Sequence, residues 1–361
     1  MNLAHKTKIE PEIDNTKIAA SFVEWSMKKM IKEIEYCIEG DIQIKHSKIA
    51  GNVERMLDNE EKLQQFQNKC DVQDTSLLEY PVPVLLQSGD AFTLNKFNVE
   101  SDNSELQPFG SAIYMNICGR YTDMAAMASR TLIINPSKEQ KAAYNLTLEA
   151  MQHLLSVLKV GTPLSQVYNE TRDFIAGKDP KLAGLIHKNF GFGIGFNYKE
   201  DSLIINATND TKVESGMLFH VRITLSEVKE GKSKSTIIGV GDTILFRTNA
   251  SGQPETVVLT ESIPRKYQQI SYTLDEDEEE EEDDENDKEN VDDNRNRKSK
   301  RNTDQDEMVE PKGRTRHNKN GMTKTSIETD IKKTQDELLD KKLDELKKRF
   351  ENDDIQMGAK K

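Results

Sequence analysis

Apolar side chains recur every three or four residues near the start of the chain. Ile18, Phe22 and Trp25 step by four and three, and Val23, Met27, Met30 and Ile34 step by four, three and four beside them. That spacing gathers apolar groups on one face of a helix, so helices are predicted over 14–39 and, from a similar pattern, 46–69. The pattern then shortens. Compact apolar runs predict strands at 82–87 and 111–118, and a hairpin joining 119–124 to 129–135. Pro136-Ser137 stops the second arm, and Ser137 with Gln140 has capping-box spacing for a helix reaching about 159. Gly161-Thr162-Pro163 breaks that helix and starts another to about 176. A short helix near 180–187 leads into the glycine-rich run Asn189–Gly195, after which strands are predicted at 201–204, 217–226, 234–247 and 255–260. The layout is α/β (α+β), with long helices against a mostly antiparallel, strongly curved sheet. No repeat of solenoid length is visible.

Charge divides the chain more sharply than hydropathy. Hydrophobic residues are 35% and charged residues 31% of 361, a core diluted by polar sequence. The formal net charge is −13. From Asp275 to Asp293, 15 acidic residues against one lysine give −14, and removing that block leaves the remainder at +1. Residues 275–325 hold almost no large apolar side chain and are expected to be disordered, because like charges repel and nothing can be buried. The run Asp275, Glu276, Asp277, Glu278, Glu279, Glu280, Glu281, Glu282, Asp283, Asp284 and Glu285 reads either as a solvated spacer or as a polyanion that imitates DNA phosphate and binds histones. Arg295, Arg297, Lys298, Lys300 and Arg301 form a basic cluster. It suits nuclear import, DNA backbone contact or pairing with the neighbouring acidic run. Beyond it, Ile331, Leu338, Leu339, Leu343, Leu346 and Phe350 form an apolar stripe, with Glu337 and Lys341 spaced for a helical ion pair. That segment is expected to be a partner-docking or solvated single helix.

Other chemistry is thin. Cys37, Cys70 and Cys118 are scattered and odd in number, which predicts reduced thiols rather than a disulfide framework or metal site. Stretches such as Val82–Leu86 and Thr236–Val240 are too short to span a bilayer, and Met1–Ile9 has no apolar signal-peptide core. A soluble intracellular protein without membrane contact is expected. The glycines of 189–195 lack the Lys-Ser/Thr of a phosphate loop, so they read as tight backbone. The dispersed histidines suggest no triad.

Four landmarks carry a resemblance. Gly119-Arg120-Tyr121 with Ala128-Ser129-Arg130-Thr131, then Asn189–Gly195, Glu214–Phe219 and Val240-Gly241-Asp242-Thr243 occur in an order that resembles the pita-bread fold of methionine aminopeptidases, prolidases and creatinases. Active members of that group hold two metals with two Asp, one His and two Glu, since hard or borderline cations need anionic oxygen and imidazole donors. Alignment by eye places Asn116, Met127, Phe192, Arg222 and Gly241 at those positions. None can serve as carboxylate or imidazole, and the nearby donors are Asp123, His220 and Asp242. The expectation is therefore a peptidase fold with no metal, no cofactor and no catalysis.

The strings Lys188–Gly195, Ser202–Ala207 and Gly216–Phe219, with phenylalanine in place of the ligand histidine and an acidic then basic linker behind, resemble the large-subunit family of the FACT complex. The resemblance implies a nuclear, chromosome-bound histone chaperone acting in transcription, replication and repair. Core histones and nucleosomes would be its partners, with the small FACT subunit through other regions and weak DNA contact besides. Arg120 and Arg222 are further histone-binding candidates in the vestigial cleft. The implied layout is 1–79 leading helices, 80–270 peptidase-like domain, 271–325 linker and 326–355 amphipathic helix. The family's fuller domain begins with a creatinase-like lobe and continues into later domains, so a piece of a longer protein or a truncated paralogue is expected. Competing readings are a divergent metallopeptidase and a scaffold that binds only the small FACT subunit.

Overall fold

The structure, a computed structural model, describes residues 6–70, 72–89, 101–107, 112–230, 234–249 and 251–273. The chain divides into two units, Met1–Leu274 and Asp275–Lys361. The acidic run, the basic cluster and the helix expected at 326–355 lie outside the described residues. Among the described residues no helix is long and apolar enough to cross a membrane.

The first unit opens with α1 (Glu10–Glu39), whose buried face carries Phe22, Val23, Met27, Met30 and Ile34. The helix starts earlier than the apolar pattern does, because Pro11 suits a first turn and Glu12 Oε2 accepts from the Ile9 N–H at 2.9 Å. The helix expected over 46–69 is two: α2 (His46–Glu54) and α3 (Glu60–Cys70), separated by a 3₁₀ turn over Arg55–Asp58. Asn59 makes the break. Its Oδ1 accepts from the Lys62 N–H at 2.9 Å, and Glu60 and Glu61 fill the first turn that follows.

Two short strands, β1 (Leu78–Glu79) and β2 (Leu85–Gln87), flank one edge of β3 (Ala112–Tyr121). β3 turns directly into β4 (Met124–Ile134) through Thr122 and Asp123, so the hairpin lies nearer its N-terminal arm than the sequence suggested. Thr122 takes φ +54°, which lets two residues close the turn. The register pairs Asn116 with Ser129 and Cys118 with Met127.

α4 (Lys138–Val157) begins on the expected capping box: the Gln140 N–H donates to Ser137 Oγ at 3.1 Å, and Gln140 Oε1 accepts from the Ser137 N–H at 2.9 Å. α5 (Leu164–Lys178) and the short α6 (Pro180–Ala183) lead to β5 (Gly191–Gly193). Residues 201–203 form a 3₁₀ turn, where a strand was expected. Asn209 Nδ2 holds the Ser202 and Ile204 carbonyls, and Leu203 fills the space beneath Gly193. The long pair β6 (Leu218–Glu230) and β7 (Lys234–Thr248) follows, then β8 (Pro254–Val258), α7 (Tyr267–Ile270) and β9 (Ser271–Tyr272).

Among the described residues nine strands make one sheet with the path β1-β3-β4-β7-β6-β5; β2, β8 and β9 attach to β3, β7 and β4, and of these pairings the β4–β9 one alone is parallel. All the helix packing that fixes the site falls on one face. A Cβ at Gly119 would lie 2.7 Å from Phe22 Cδ1, so β3 approaches α1 as only glycine permits. Farther along, Phe219, Val221 and Ile223 of β6 bury with Ala150, Leu154, Leu164 and Val167 of α4 and α5. Because side chains alternate along a strand, His220, Arg222 and Thr224 of β6 point to the opposite face, away from the helices.

Candidate functional site

That helix-free face brings the aligned positions together. β3 supplies Asn116, β4 supplies Met127 and Ser129, β5 supplies Phe192, β6 supplies His220 and Arg222, and β7 supplies Gly241. The pairings Asn116–Ser129, Ser129–Gly241, Gly241–Arg222 and Phe192–His220 link them across the sheet. Ser129 Oγ donates to Asn116 Oδ1 at 3.1 Å and lies 3.4 Å from His220 Nε2. The His220 ring sits 5.4 Å from the Phe192 ring, and the Arg222 guanidinium carbon stands 5.7 Å over Phe192. Gly241 is bare of side chain for a geometric reason: a Cβ there would meet His220 Cε1 at 2.7 Å and Ser129 Oγ at 2.9 Å.

His220 is a fully buried neutral imidazole. Its Nδ1–H donates to the Met127 carbonyl at 3.2 Å, which fixes the tautomer and leaves Nε2 as the bare nitrogen. Burial, and then the charge of Arg222, push its pKa down to about 3. Arg222 is half-buried. Its Nη2 makes one long bond, 3.4 Å to Asn189 Oδ1, and its Nε is buried without a hydrogen-bond partner. Burial pulls its pKa below the usual arginine value, and among the described residues no carboxylate pairs with it.

The remaining sequence candidates lie elsewhere. Asp242 is adjacent to Gly241 in sequence but on the helix face. Its Oδ1 accepts from Arg130 Nη2 at 2.7 Å and from Thr260 Oγ1 at 2.8 Å, and its Oδ2 accepts from Arg265 Nη1 at 3.1 Å. Burial alone would raise its pKa; the two arginines and Thr260 outweigh that and hold it below the ordinary carboxylate value. Arg130 is fully buried and also donates to the Gly241 and Pro264 carbonyls, so this cluster pins 260–265 to the sheet. Asp123 sits in the hairpin turn, about 20 Å along β4 from Ser129. Arg120 lies at the same end of β3, paired with Glu79 at 2.7 Å across the β1–β3 ladder, and does not join Arg222.

The donor set on the helix-free face does not fit a divalent metal. It offers one neutral imidazole, two neutral oxygens, an apolar ring and a fixed cation, where a two-metal site needs several anionic oxygens. Among the described residues no group of three or more His, Cys, Asp or Glu side chains could hold a metal ion.

The structure also contains an Asp–His–Ser chain that the scattered sequence positions concealed. His46 Nδ1 is 2.7 Å from Asp102 Oδ1, and Ser88 Oγ is 2.7 Å from His46 Nε2. This is the connectivity of a hydrolytic triad, yet Ser88 is buried and its Oγ accepts the Gln107 N–H at 2.9 Å. The surrounding bonds show what the chain does. The His46 N–H donates to the Ser104 carbonyl, the Ser47 N–H to the Asp102 carbonyl and the Leu106 N–H to the Ile44 carbonyl, so 102–106 is clasped along the entry to α2. Burial raises the Asp102 pKa less than the hydrogen bonds from His46 and the Ser104 N–H lower it, and the carboxyl ends below its ordinary value.

Comparison with known proteins places these features. The model for metallopeptidase family M24 matches residues 14–248. FACT complex subunit SPT16 of Candida glabrata is 25% identical over 283 residues, 75% of this chain and 27% of that protein. FACT complex subunit ctc-2 of Neurospora crassa is 28% identical over 252 residues, 68% of this chain and 24% of the relative. The chain thus spans about a quarter of the length of these relatives. Among solved structures, the N-terminal domain of FACT complex subunit SPT16 from chickpea, Cicer arietinum, matches with TM-score 0.68 and 26% identity, over 74% of this chain and 61% of that one. The X-Pro aminopeptidase of Thermotoga maritima matches with TM-score 0.57 and 19% identity, over 75% of this chain and 65% of that one, a likeness of fold alone. The sheet and its helices are the pita-bread arrangement.

Proposed function

Since the chain belongs to metallopeptidase family M24, we propose that it is a member in which the peptidase fold serves binding, as part of a FACT-type histone chaperone that breaks no bond. The observation that carries this reading is Arg222. A guanidinium with no carboxylate partner among the described residues stands on the face where Asn116, Met127, Phe192 and Gly241 converge. A fixed cation there repels a divalent metal and supplies no nucleophile. The likeness to the N-terminal domains of FACT subunits supports the choice of histones over other cargo.

In this reading the protein works in the nucleus on chromosomes. It holds core histones while DNA is displaced in transcription, replication and repair. The acidic run from Asp275 to Glu285 competes with phosphate for histone lysines and arginines, and the folded unit adds contacts of its own. The basic cluster Arg295–Arg301 addresses the protein to the nucleus. Association with a small FACT subunit and weak DNA contact follow from the same assignment.

The test is a core-histone pull-down with the full chain across a salt series, beside a variant lacking 275–293. The full chain is expected to bind in a way that weakens steeply with salt, and the deletion variant to bind more weakly at low salt with a shallower salt dependence. Absence of histone binding at 50–100 mM salt, roughly one Debye length of 10 Å or more, overturns the reading. So does turnover of Xaa-Pro peptides with added manganese or cobalt.

A further inference from the structure

We propose that the helix-free face around Arg222 binds a carboxylate carried by a peptide, either the chain-terminal carboxylate or an Asp or Glu side chain. Three polar atoms there are buried without hydrogen-bond partners: Arg222 Nε, Thr224 Oγ1 and His187 Nδ1. They are neighbours. Thr224 follows Arg222 by two residues on the same face of β6, and the His187 N–H donates to the Thr224 carbonyl at 3.1 Å. Buried polar atoms are normally satisfied, and three orphans side by side describe donors and acceptors waiting for a ligand.

The surroundings define what fits. The Arg222 guanidinium carbon stands 5.7 Å over the Phe192 ring, Nε has no partner and Nη2 makes only the long bond to Asn189, so the Nε–Nη2 edge offers the fork that a planar two-oxygen acceptor fits. Opposite Thr224 and Arg222, β7 presents Gly239 and Gly241. A Cβ at Gly239 would lie 3.0 Å from Thr224 Oγ1 and 3.1 Å from Tyr114 Cε2, so the wall is bare backbone. His187, Asn189 and Arg222 are all half-buried, which gives the site an opening to solvent. Burial and the nearby Arg222 charge push the His187 pKa down to about 4, so it stays neutral at pH 7 and adds no second cation. One fixed charge with neutral hydroxyl and imidazole neighbours matches a monoanion. A phosphate dianion calls for further cationic donors.

Calorimetric titration of the full chain at pH 7 and constant ionic strength tests this without any histone, so its outcome is separate from that of the chaperone reading. The probes are N-acetyl-Gly-Gly with a free terminal carboxylate, its C-terminal amide, N-acetylglutamate α-amide with only a side-chain carboxylate, and inorganic phosphate. At least one of the two acids is expected to bind at least tenfold tighter than the Gly-Gly amide, and which acid binds tighter identifies the carboxylate source. Arg222→Met should reduce the acids to the level of the amide. Arg222→Lys should keep a fraction of the gain, since a point charge replaces a fork. Equal binding of the acids and the amide, no saturable binding of either acid, phosphate binding as tight as the acids, or unchanged acid binding in Arg222→Met overturns the proposal. The acid-against-amide comparison uses the unaltered protein and stands whatever the variants do to folding.

Discussion

Lowering the pH should destabilise the folded unit through His220 well before the carboxylates titrate. The unfolded chain protonates this histidine near 6.5, whereas the folded chain resists until about pH 3. Between those values the unfolded state binds more protons, so stability is fully present above about 6.5 and falls as pH drops toward 3. From pH 7.5 to 4.5 the group spans about two pKa units below its unfolded value, worth roughly 2.5–3 kcal/mol at about 1.36 kcal/mol per unit. His187, lowered to about 4, acts with the same sign but is half-buried and contributes less. Replacing His220 by Gln keeps an N–H for the Met127 carbonyl and removes the titration. Urea unfolding at pH 7.5 and 4.5 should show the unaltered protein losing about 2.5–3 kcal/mol more than His220→Gln over that interval. Parallel losses in the two proteins would refute the assignment of a buried neutral imidazole at this position.

Asp242→Asn leaves Arg130 buried beside a neutral amide and should cost about 3–5 kcal/mol, a fall of roughly 6–15 °C in melting temperature for a unit of this size; adding Arg130→Met should recover much of it, and scanning calorimetry of both variants checks this. Gly119→Ala places a methyl against Phe22 and should cost about 1–3 kcal/mol in denaturant unfolding, relieved by Phe22→Leu. His46→Leu should speed amide exchange over 102–106 and leave β6 and β7 protected, because the hydrogen-bonded clasp is local.

The long elements were legible because their signals are local. The α1 stripe and the Ser137–Gln140 box each specify a helix within a few residues of sequence. The errors fell where a side chain at a distance decides. Asn59 ended one helix and capped the next, a signal present in Asn59-Glu60-Glu61 but outweighed by the apolar spacing around it. The hairpin turned at Thr122-Asp123, where Asp123 is a turn residue but the position that takes positive φ is a β-branched threonine rather than glycine or asparagine, so the signal was weak. Leu203 looked like part of a strand because it is apolar and buried, yet it is buried in a turn beneath Gly193. The His46 chain joins residues 42 and 56 positions apart, and no spacing along the sequence could announce it.

At the candidate site, the sequence alone left Gly241 and Asp242 as rival occupants of one ligand position. Sheet geometry separates them without appeal to relatives. Paired residues share a face, and neighbours along a strand take opposite faces. Gly241 pairs with Arg222 and Ser129, on the side where Phe192 and His220 also stand. Asp242 pairs with Val221, whose side chain is buried among those of α4 and α5. A single step along β7 therefore carries the carboxylate through the sheet, where two arginines neutralise it, and Arg222 stays unneutralised on the other side. A one-residue slip of β7 could not rescue a metal site either. It would place Asp242 beside Arg222, where the two would form an ion pair, and it would strip Arg130 of the buried carboxylate that neutralises it. The electrostatics and the register thus favour the same arrangement, in which Arg222 stands on the helix-free face with no carboxylate paired to it among the described residues.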